Sequence, residues 1–199
     1  MAGHRGYACP LVIRSFIALS PPPPVRDALA ALQDQAPGGR AVDYENLHLT
    51  LAFLDAQPAA LVQDIALALA EATPPAAFDV RIRGLDIFGS RTPRALVAAV
   101  DPSPGLTALH DHVRRRVRAG GLSLPHRRFK PHLTLMRFNG PVHPEAKAAL
   151  AAFAARPVSG FGFRPRDYTL FRSTLSADGP RYDALAAFAL GAASSDRAR

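Results

Sequence analysis

The sequence predicts an α+β fold made of two similar lobes, and three observations lead to this expectation. The four letters HLTL occur twice, at residues 48–51 and 132–135, which lie 84 positions apart. The same order of elements surrounds each copy: a helix, an HLTL strand, a second helix and a strand pair. A length of 199 residues favours one domain, or two small interlocked lobes, over two independent domains. We therefore expect two lobes related by an approximate two-fold axis, with the HLTL strands facing each other across a central cleft.

Apolar patterning and turn residues support each element of the first half. Residues 11–19, LVIRSFIAL, are apolar and β-branched, which is typical of a buried strand. Prolines at 21–24 end this strand, and Pro-Gly-Gly at 37–39 ends the amphipathic helix that follows. The predicted elements are a strand at 11–19, a helix at 25–36, a strand at 46–54, a helix at 58–73 and a strand pair at 77–88 and 94–100.

The second half repeats this plan. Gly120 and Gly121 end its first helix, and a proline lies near the start of its second. The predicted elements are a helix at 104–120, a strand at 129–138, a helix at 144–156 and strands at 158–174 and 181–190. We expect residues 1–199 to form a single domain, with a frayed tail at 191–199.

Composition excludes several classes of protein. Hydrophobic residues make up 48% of the chain, which is enough for a sizeable core, and no apolar run approaches the roughly 18 residues of a membrane span. A single cysteine, Cys9, excludes an intramolecular disulfide framework and a cysteine-built metal site. The basic and apolar start lacks a cleavage site of the signal-peptide type, so a cytoplasmic location is expected.

The net charge of +8 points towards phosphate-bearing partners. Arginine greatly outnumbers lysine, which occurs only at Lys130 and Lys147, and the chain is rich in alanine, proline and glycine. Such a bias is also typical of a GC-rich genome, so charge alone leaves nucleic-acid binding open.

The two HLTL strands offer groups that suit phosphodiester chemistry. Because side chains alternate along a strand, each copy presents its histidine and threonine on one face and its leucines on the other. A neutral imidazole can take a proton from an attacking hydroxyl, and a protonated one can give a proton to the leaving oxygen. Threonine hydroxyls can hold the other phosphate oxygens. The candidate residues are the catalytic pair His48 and His132 and the phosphate-binding Thr50 and Thr134.

Arg137 is the candidate cation for the phosphate, since a guanidinium can form two parallel hydrogen bonds with it. Strict alternation, however, places Arg137 on the leucine face. The strand must twist, bulge or end before Arg137 if this side chain is to reach the phosphate. The same condition applies to Phe53, five residues after His48, which is the candidate for stacking on a nucleobase.

These residues resemble the two-histidine phosphoesterases, whose signature is a pair of His-x-Thr/Ser-x motifs. More closely, the chain is similar to the RNA 2′,3′-cyclic phosphodiesterase family, also called the 2′-5′ RNA ligase family. The similarity extends over nearly the whole chain. It rests on the segments RSFIAL, NLHLTLAFL, LDIFGSRTPRALVAAV, FKPHLTLMR, YTLFRSTL and GPRY.

The resemblance implies a bilobal fold with two concave antiparallel sheets, outer helices and a central cleft. It implies metal-independent opening of terminal 2′,3′-cyclic phosphates of RNA, or of cyclic nucleotides, to 2′-phosphates, with no cofactor. We assign His48 as the acid that protonates the leaving O3′ and His132 as the base that activates water. Asp55 departs from the family, which commonly has glycine there, and so do Ala98 and Ala99, where the family often has tryptophan.

Other functions stay open. The enzymatic alternative is a ligase, or a phosphodiesterase acting on 2′-5′ linkages or small cyclic nucleotides; the alternative without catalysis is an RNA-end-binding protein. A metal site at His110 and His112 is disfavoured, because side chains two apart on a helix do not face each other, and surface positions are expected. The run RRRVR at 114–118 predicts a solvated helix face. A monomer is expected.

Overall fold

The chain folds into a mixed α+β structure in which helices pack on one large antiparallel sheet. The structure, a computed structural model, describes residues 11–89, 91–158, 160–176 and 179–191. Cys9 and the predicted tail beyond Gly191 lie outside these ranges. The strands are β1 Val12–Leu19, β2 Arg40–Ala41, β3 Leu49–Pro58, β4 Val80–Phe88, β5 Ala95–Val100, β6 His132–Arg137, β7 Gly162–Phe163, β8 Asp167–Ser176 and β9 Gly179–Ala189. The helices are α1 Pro23–Gln35, α2 Ala59–Ala70, α3 Pro104–Ala119 and α4 Pro144–Ala154, with a 3-10 turn at Tyr44–Asn46.

The predicted α+β class is confirmed, and the longer predicted elements match observed ones. Proline lies at the start of α1, α3 and α4, where a missing N–H costs nothing. The strands β2 and β7 have two residues each, which is too short for any periodic signal in the sequence. None of the helices in the described part of the chain is long and apolar enough to cross a membrane.

The strand order shows how the two halves of the chain are combined. The strands follow the path β7-β4-β5-β6-β3-β1-β8-β9, with β2 paired to β6. The β4–β5 hairpin of the first half therefore pairs with the HLTL strand of the second half, β6. The β8–β9 hairpin of the second half pairs with β1, which pairs with the first HLTL strand, β3. Each half thus completes its sheet with a hairpin from the other.

The two sheets that the sequence led us to expect are joined at the HLTL strands, β3 and β6, into one nine-stranded sheet. In the described residues β3 and β6 pair at a single position, Leu49 with Leu133, and these leucines occupy equivalent places in the two motifs. Both are fully buried in the core beneath the helices. Removing one such side chain costs about 2–5 kcal/mol, so the junction between the sheets is anchored by burial of apolar surface.

A β-bulge follows the junction in each copy of the motif. On β3, Ala18 pairs with Thr50 and Ile17 with Ala52, which leaves Leu51 as the extra residue. On β6, Val97 pairs with Thr134 and Leu96 with Met136, which leaves Leu135 as the extra residue. A bulge reverses the alternation of the residues after it. The two motifs therefore share the same backbone irregularity at their last leucine.

A second irregularity of β3 lies at Asp55. It is the residue other than glycine that has a positive φ, 56°, among the described residues. This left-handed conformation favours glycine, and aspartate tolerates it better than most residues do. Its carboxylate lies 3.7 Å from Arg14, and both side chains are exposed, so this ion pair adds little.

We expect Asp55→Gly to stabilise the protein by about 0.5 kcal/mol, because relief of the left-handed strain exceeds the added flexibility of the unfolded chain. Urea unfolding of the two proteins measures this difference. Asp55→Asn, which tolerates the same φ and lacks the charge, is the control and should unfold like the wild type. A lower free energy of unfolding for the glycine variant would contradict the interpretation.

Candidate active site

The pairing of Leu49 with Leu133 determines which side chains face each other across the cleft. In an antiparallel pair, the residue before one partner lies opposite the residue after the other. Each histidine is therefore placed opposite the threonine of the other motif, and all four side chains lie on the face opposite the buried leucines. The two opposed pairs are His48 with Thr134 and His132 with Thr50. The pocket linings agree, since His48 and Thr134 share one pocket and His132 and Thr50 share a neighbouring one.

Both imidazoles are held in the same way. Nδ1 of His48 lies 2.6 Å from the carbonyl oxygen of Asn46, and Nδ1 of His132 lies 2.7 Å from that of Lys130. Because a carbonyl oxygen only accepts hydrogen bonds, Nδ1 carries the proton in each ring. Each Nε2 is then left with a lone pair for chemistry in the cleft. This repeated contact, with the carbonyl two residues before each histidine, leaves the two imidazoles in equivalent states, each with a free Nε2 lone pair.

The cleft at His48 is further shaped by Asn46 and Tyr182. The side-chain amide of Asn46 donates to the carbonyl oxygen of Pro180, at 2.7 Å, so the residue that orients His48 is tied to the start of β9. The ring of Tyr182 stands edge-on to His48 with centroids 5.3 Å apart, and burial raises the pKa of its hydroxyl. Phe16 also packs against the imidazole, with centroids 4.8 Å apart, and it contacts Tyr182 at the same centroid distance.

The bulge at Leu135 resolves the difficulty with Arg137. Beyond the bulge Met136 is buried and Arg137 is exposed, and Arg137 lines the pocket of His48 and Thr134. The bulge at Leu51 does the same for Phe53, which is 60% exposed and lines the pocket of His132 and Thr50. The condition that the sequence imposed on these two residues is therefore met.

Gln33 supports the bulge from the core side. This residue of α1 is only 8% exposed, and its amide donates to the carbonyl oxygens of Val42, at 2.7 Å, and Leu135, at 2.8 Å. The backbone N–H of Val42 donates to the same Leu135 oxygen, at 2.8 Å. The bulged residue is thus fastened to α1 and to the segment after β2, two residues before Arg137.

Burial and positive charge keep both histidines neutral in the free site. The pKa of His48 is lowered to about 4, mainly by loss of hydration; Arg137 and His132 add to this effect, and the hydrogen bond to the Asn46 carbonyl opposes it. Burial likewise lowers the pKa of His132, with Arg137 adding to the effect. A bound phosphate would reverse the sign of the local charge and raise both pKa values. The free site is therefore arranged to accept protons when an anion enters.

Three aromatic or polar residues of the site were not identified from the sequence. Tyr182 belongs to the GPRY segment that supports the family resemblance, so its presence there was the available signal. Phe88 packs against His132 with centroids 4.6 Å apart, and it belongs to the hairpin of the other half. Asn46 lies two residues before the first motif but contacts His48 through its backbone oxygen, which no pattern of side chains reveals.

The prediction that both histidines of α3, His110 and His112, lie at the surface is wrong for His110. It is buried and stacked on Phe129, with ring centroids 4.0 Å apart, because the segment before β6 folds over this part of the helix. His112 is half-buried, and burial lowers its pKa. In the described residues no group of three or more His, Cys, Asp or Glu side chains is placed to hold a metal ion.

The arginine run on α3 is only partly the solvated face that was expected. Arg115 and Arg118 are exposed. Arg116 donates to the carbonyl oxygen of Ala68 in α2, at 2.8 Å, and Arg114 donates to the carbonyls that follow α3. Two of these arginines therefore hold neighbouring segments in place.

Because the pKa of His48 is near 4 when folded and near 6.5 when unfolded, the unfolded chain binds more protons between these values. The free energy of unfolding should then fall as pH drops through this window, by about 1–2 kcal/mol after allowance for solvent at the half-buried ring. Urea unfolding at pH 7.5, 6 and 5 measures the slope. His48→Gln should show a flatter profile, and parallel profiles for the two proteins would contradict this account.

We expect Gln33→Leu to weaken phosphate binding as well as folding, because the bulge before Arg137 loses its contact with α1. The free energy of unfolding should fall by about 1–3 kcal/mol, and the Kd for inorganic phosphate, measured by calorimetry at 10 °C, should rise several-fold. Gln35→Leu, an exposed glutamine of the same helix, is the control. Lower stability with an unchanged Kd would limit Gln33 to a structural role.

Solved structures with the same architecture include two bacterial proteins. TT0787 of Thermus thermophilus superposes with a TM-score of 0.73 at 31% identity, covering 89% of this chain and 98% of that one. LigT of E. coli in complex with 3′-AMP gives a TM-score of 0.73 at 26% identity, covering 90% and 99%. LigT in apo form gives 0.72 at 25% identity, covering 90% and 98%.

Sequence comparison agrees with the structural one. A curated relative, the RNA 2′,3′-cyclic phosphodiesterase of Geobacillus stearothermophilus, is 32% identical over 154 residues, which is 75% of this chain and 47% of the relative. The chain thus spans about half the length of that protein. The family model of the 2′-5′ RNA ligase superfamily matches residues 21–173. With this match over most of its length, and with both histidine motifs inside it, the chain belongs to the 2′-5′ RNA ligase superfamily.

Proposed function

We propose that the protein hydrolyses the 2′,3′-cyclic phosphate at the end of an RNA to a 2′-phosphate, without a metal ion, by acid–base catalysis between His48 and His132. The observation that supports this most directly is the presence, on one face of the paired strands, of two imidazoles whose Nδ1 atoms are fixed on carbonyl oxygens. Binding alone requires no such pair of proton-transfer groups. The proposal agrees with the name of the curated relative and with the 3′-AMP bound by LigT.

In the proposed reaction, the oxygen of a water molecule attacks phosphorus while Nε2 of His132 takes a proton from that water. His48 enters this step as an imidazolium, having taken a solvent proton on Nε2 once the bound phosphate has raised its pKa. The bond between phosphorus and O3′ breaks, its electron pair stays on O3′, and the Nε2 proton of His48 passes to that oxygen. The products are a 2′-phosphate and a free 3′-hydroxyl, and solvent exchange restores the two imidazoles. Proton transfer by a positioned group contributes about 10²–10⁴-fold to such a rate.

The other site residues take supporting roles. Thr50 and Thr134 donate hydroxyl hydrogen bonds to the non-bridging phosphate oxygens, and Arg137 binds the same oxygens through its guanidinium. Phe53, exposed beside His132, stacks on the terminal base. The expected monomeric state and cytoplasmic location stay predictions.

The direction of proton transfer depends on which histidine carries the proton when the substrate is bound. The pKa of about 4 for His48 in the free site favours its neutral form, so it acts as the acid only once the bound phosphate has raised that value. In the alternative mechanism the roles are exchanged: His48 is the base and His132 is the acid. The low pKa of His48 in the free site agrees with this alternative.

A second candidate reaction follows from the surroundings of His132. Besides the pocket that it shares with Thr50, this histidine borders a second pocket, whose lining includes Arg83, Phe88 and Arg128. A ribose 5′-hydroxyl bound there could replace water as the attacking group, which would form a 2′-5′ linkage or, in reverse, cleave one. Assays of 2′-5′-linked oligonucleotides and of 5′-hydroxyl RNA as acceptor decide between these reactions and hydrolysis.

We expect the purified protein in EDTA to convert an oligoribonucleotide 2′,3′-cyclic phosphate to a 2′-phosphate, as followed by phosphorus NMR. His48→Ala and His132→Ala should each lower kcat by about 10²-fold or more. Replacement of His143, an exposed histidine at the start of α4, by alanine is the control. Full activity of either site variant, or a strict need for a divalent metal, would refute the proposed mechanism. Binding without turnover would support the RNA-end-binding alternative.

A sulfur atom in place of O3′ identifies the acid. A thiolate leaves without protonation, because thiols have a pKa near 8.5. We expect the 3′-thio cyclic phosphate to restore most of the rate lost in His48→Ala and none of that lost in His132→Ala. The reverse pattern would exchange the two roles.

A further inference from the structure

A groove of unusual composition leads away from His132. It lies between the exposed ring of Phe53 and the segment that precedes β6. Its lining combines aromatic and basic side chains: Phe53, Arg114, Arg127, Arg128, Phe129 and Lys130. We call it the Phe53 groove.

The positive charge of the Phe53 groove is not compensated by the protein. Arg127, Arg128 and Lys130 are exposed, and the ion pairs found among the described residues involve none of them. Asp55 is the acidic residue in the lining, and it lies 3.7 Å from Arg14. Three neighbouring cations without counter-charges create a field that attracts anions.

The segment that bears these cations is held in a defined shape. Arg114 donates to the carbonyl oxygens of Leu124, at 3.2 Å, and Pro125, at 3.1 Å. Phe129 stacks on His110 with an interplanar angle of 15°. At its end, the carbonyl oxygen of Lys130 accepts the hydrogen bond that orients His132. A segment ordered in advance loses little conformational entropy when a ligand binds.

Aromatic rings beside backbone-binding cations are the chemistry of single-stranded nucleic-acid sites. A solvated surface loop explains the charge of the arginines, but it does not explain a phenylalanine that is 60% exposed in a strand. Neither does it explain why the charged segment ends on the carbonyl that orients a candidate catalytic histidine. Both observations connect the groove to the site where the RNA end reacts.

We propose that the Phe53 groove binds the phosphodiester backbone of the nucleotides on the 5′ side of the reacting end, so that the preferred substrate is a single-stranded oligoribonucleotide. This inference rests on the proposed function, since it takes the cyclic phosphate to lie between the histidines. Arg127, Arg128 and Lys130 each contact a backbone phosphate. Arg114 acts as a positioning residue, because its donors are used by the segment itself.

The test compares a five-nucleotide RNA 2′,3′-cyclic phosphate with a cyclic mononucleotide for the wild type and for the double variant Arg127→Ala/Arg128→Ala. The variant should lose about 10-fold more kcat/KM on the oligonucleotide than on the mononucleotide. Two lost phosphate contacts should also reduce the dependence of log KM on log salt by about 1.4 for the oligonucleotide. Arg156→Ala/Arg166→Ala removes two exposed arginines elsewhere and should match the wild type on both substrates.

Equal losses on the two substrates, or no loss on either, would overturn the inference while leaving the hydrolytic activity established. Should the wild type hydrolyse neither substrate, the proposed function fails and the groove is tested by binding alone. Fluorescence anisotropy with a labelled five-nucleotide RNA carrying a 3′-phosphate then gives the result. A Kd raised about 10-fold in the double variant, but not in the control, would support the groove, and equal Kd values would refute it.

Discussion

The antiparallel pair of Leu49 and Leu133 is the contact on which the arrangement of the site depends. These leucines are buried beneath the helices, and their pairing is the one that joins β3 to β6 in the described residues. Because side chains alternate, burying the leucines turns the flanking histidines and threonines to the opposite face. A shift of one residue in this register would bury the imidazoles and expose the core. The free energy that holds the candidate catalytic side chains in place therefore comes from burial of apolar surface outside the cleft.

Electrostatics favours the uncharged form of both candidate histidines in the free site. Burial and the nearby Arg137 disfavour the protonated form of both histidines, so two imidazolium ions do not repel each other in the empty cleft. An incoming phosphate neutralises Arg137 and makes protonation of one ring favourable. In the proposed reaction, the proton that the leaving oxygen needs would therefore be acquired when the substrate binds. The same charge arrangement that costs stability at low pH prepares the site for its ligand.

Local features of this fold follow from the sequence, and long-range ones do not. The spacing of apolar residues, together with the turn residues, predicts the helices, the HLTL strands and the faces on which His48 and His132 lie. They also show that Arg137 needs a bulge, although they do not locate it at Leu135. The exchange of hairpins between halves, which brings Phe88 to His132, depends on pairing between distant strands. His110 was misplaced for the same reason, since it is covered by Phe129, nineteen positions later in the chain.

The two copies of the motif have the same backbone irregularity and carry different side chains at the position that faces the cleft after it. Leu51 and Leu135 form equivalent bulges, and the residue two positions later is turned into the cleft in both. In the first copy that residue is Phe53, and in the second it is Arg137. An aromatic ring can stack on a base, whereas a guanidinium binds phosphate oxygens. In the proposed reaction, unlike residues at this position of a repeated scaffold would give the bound nucleotide a single orientation, which one acid and one base require.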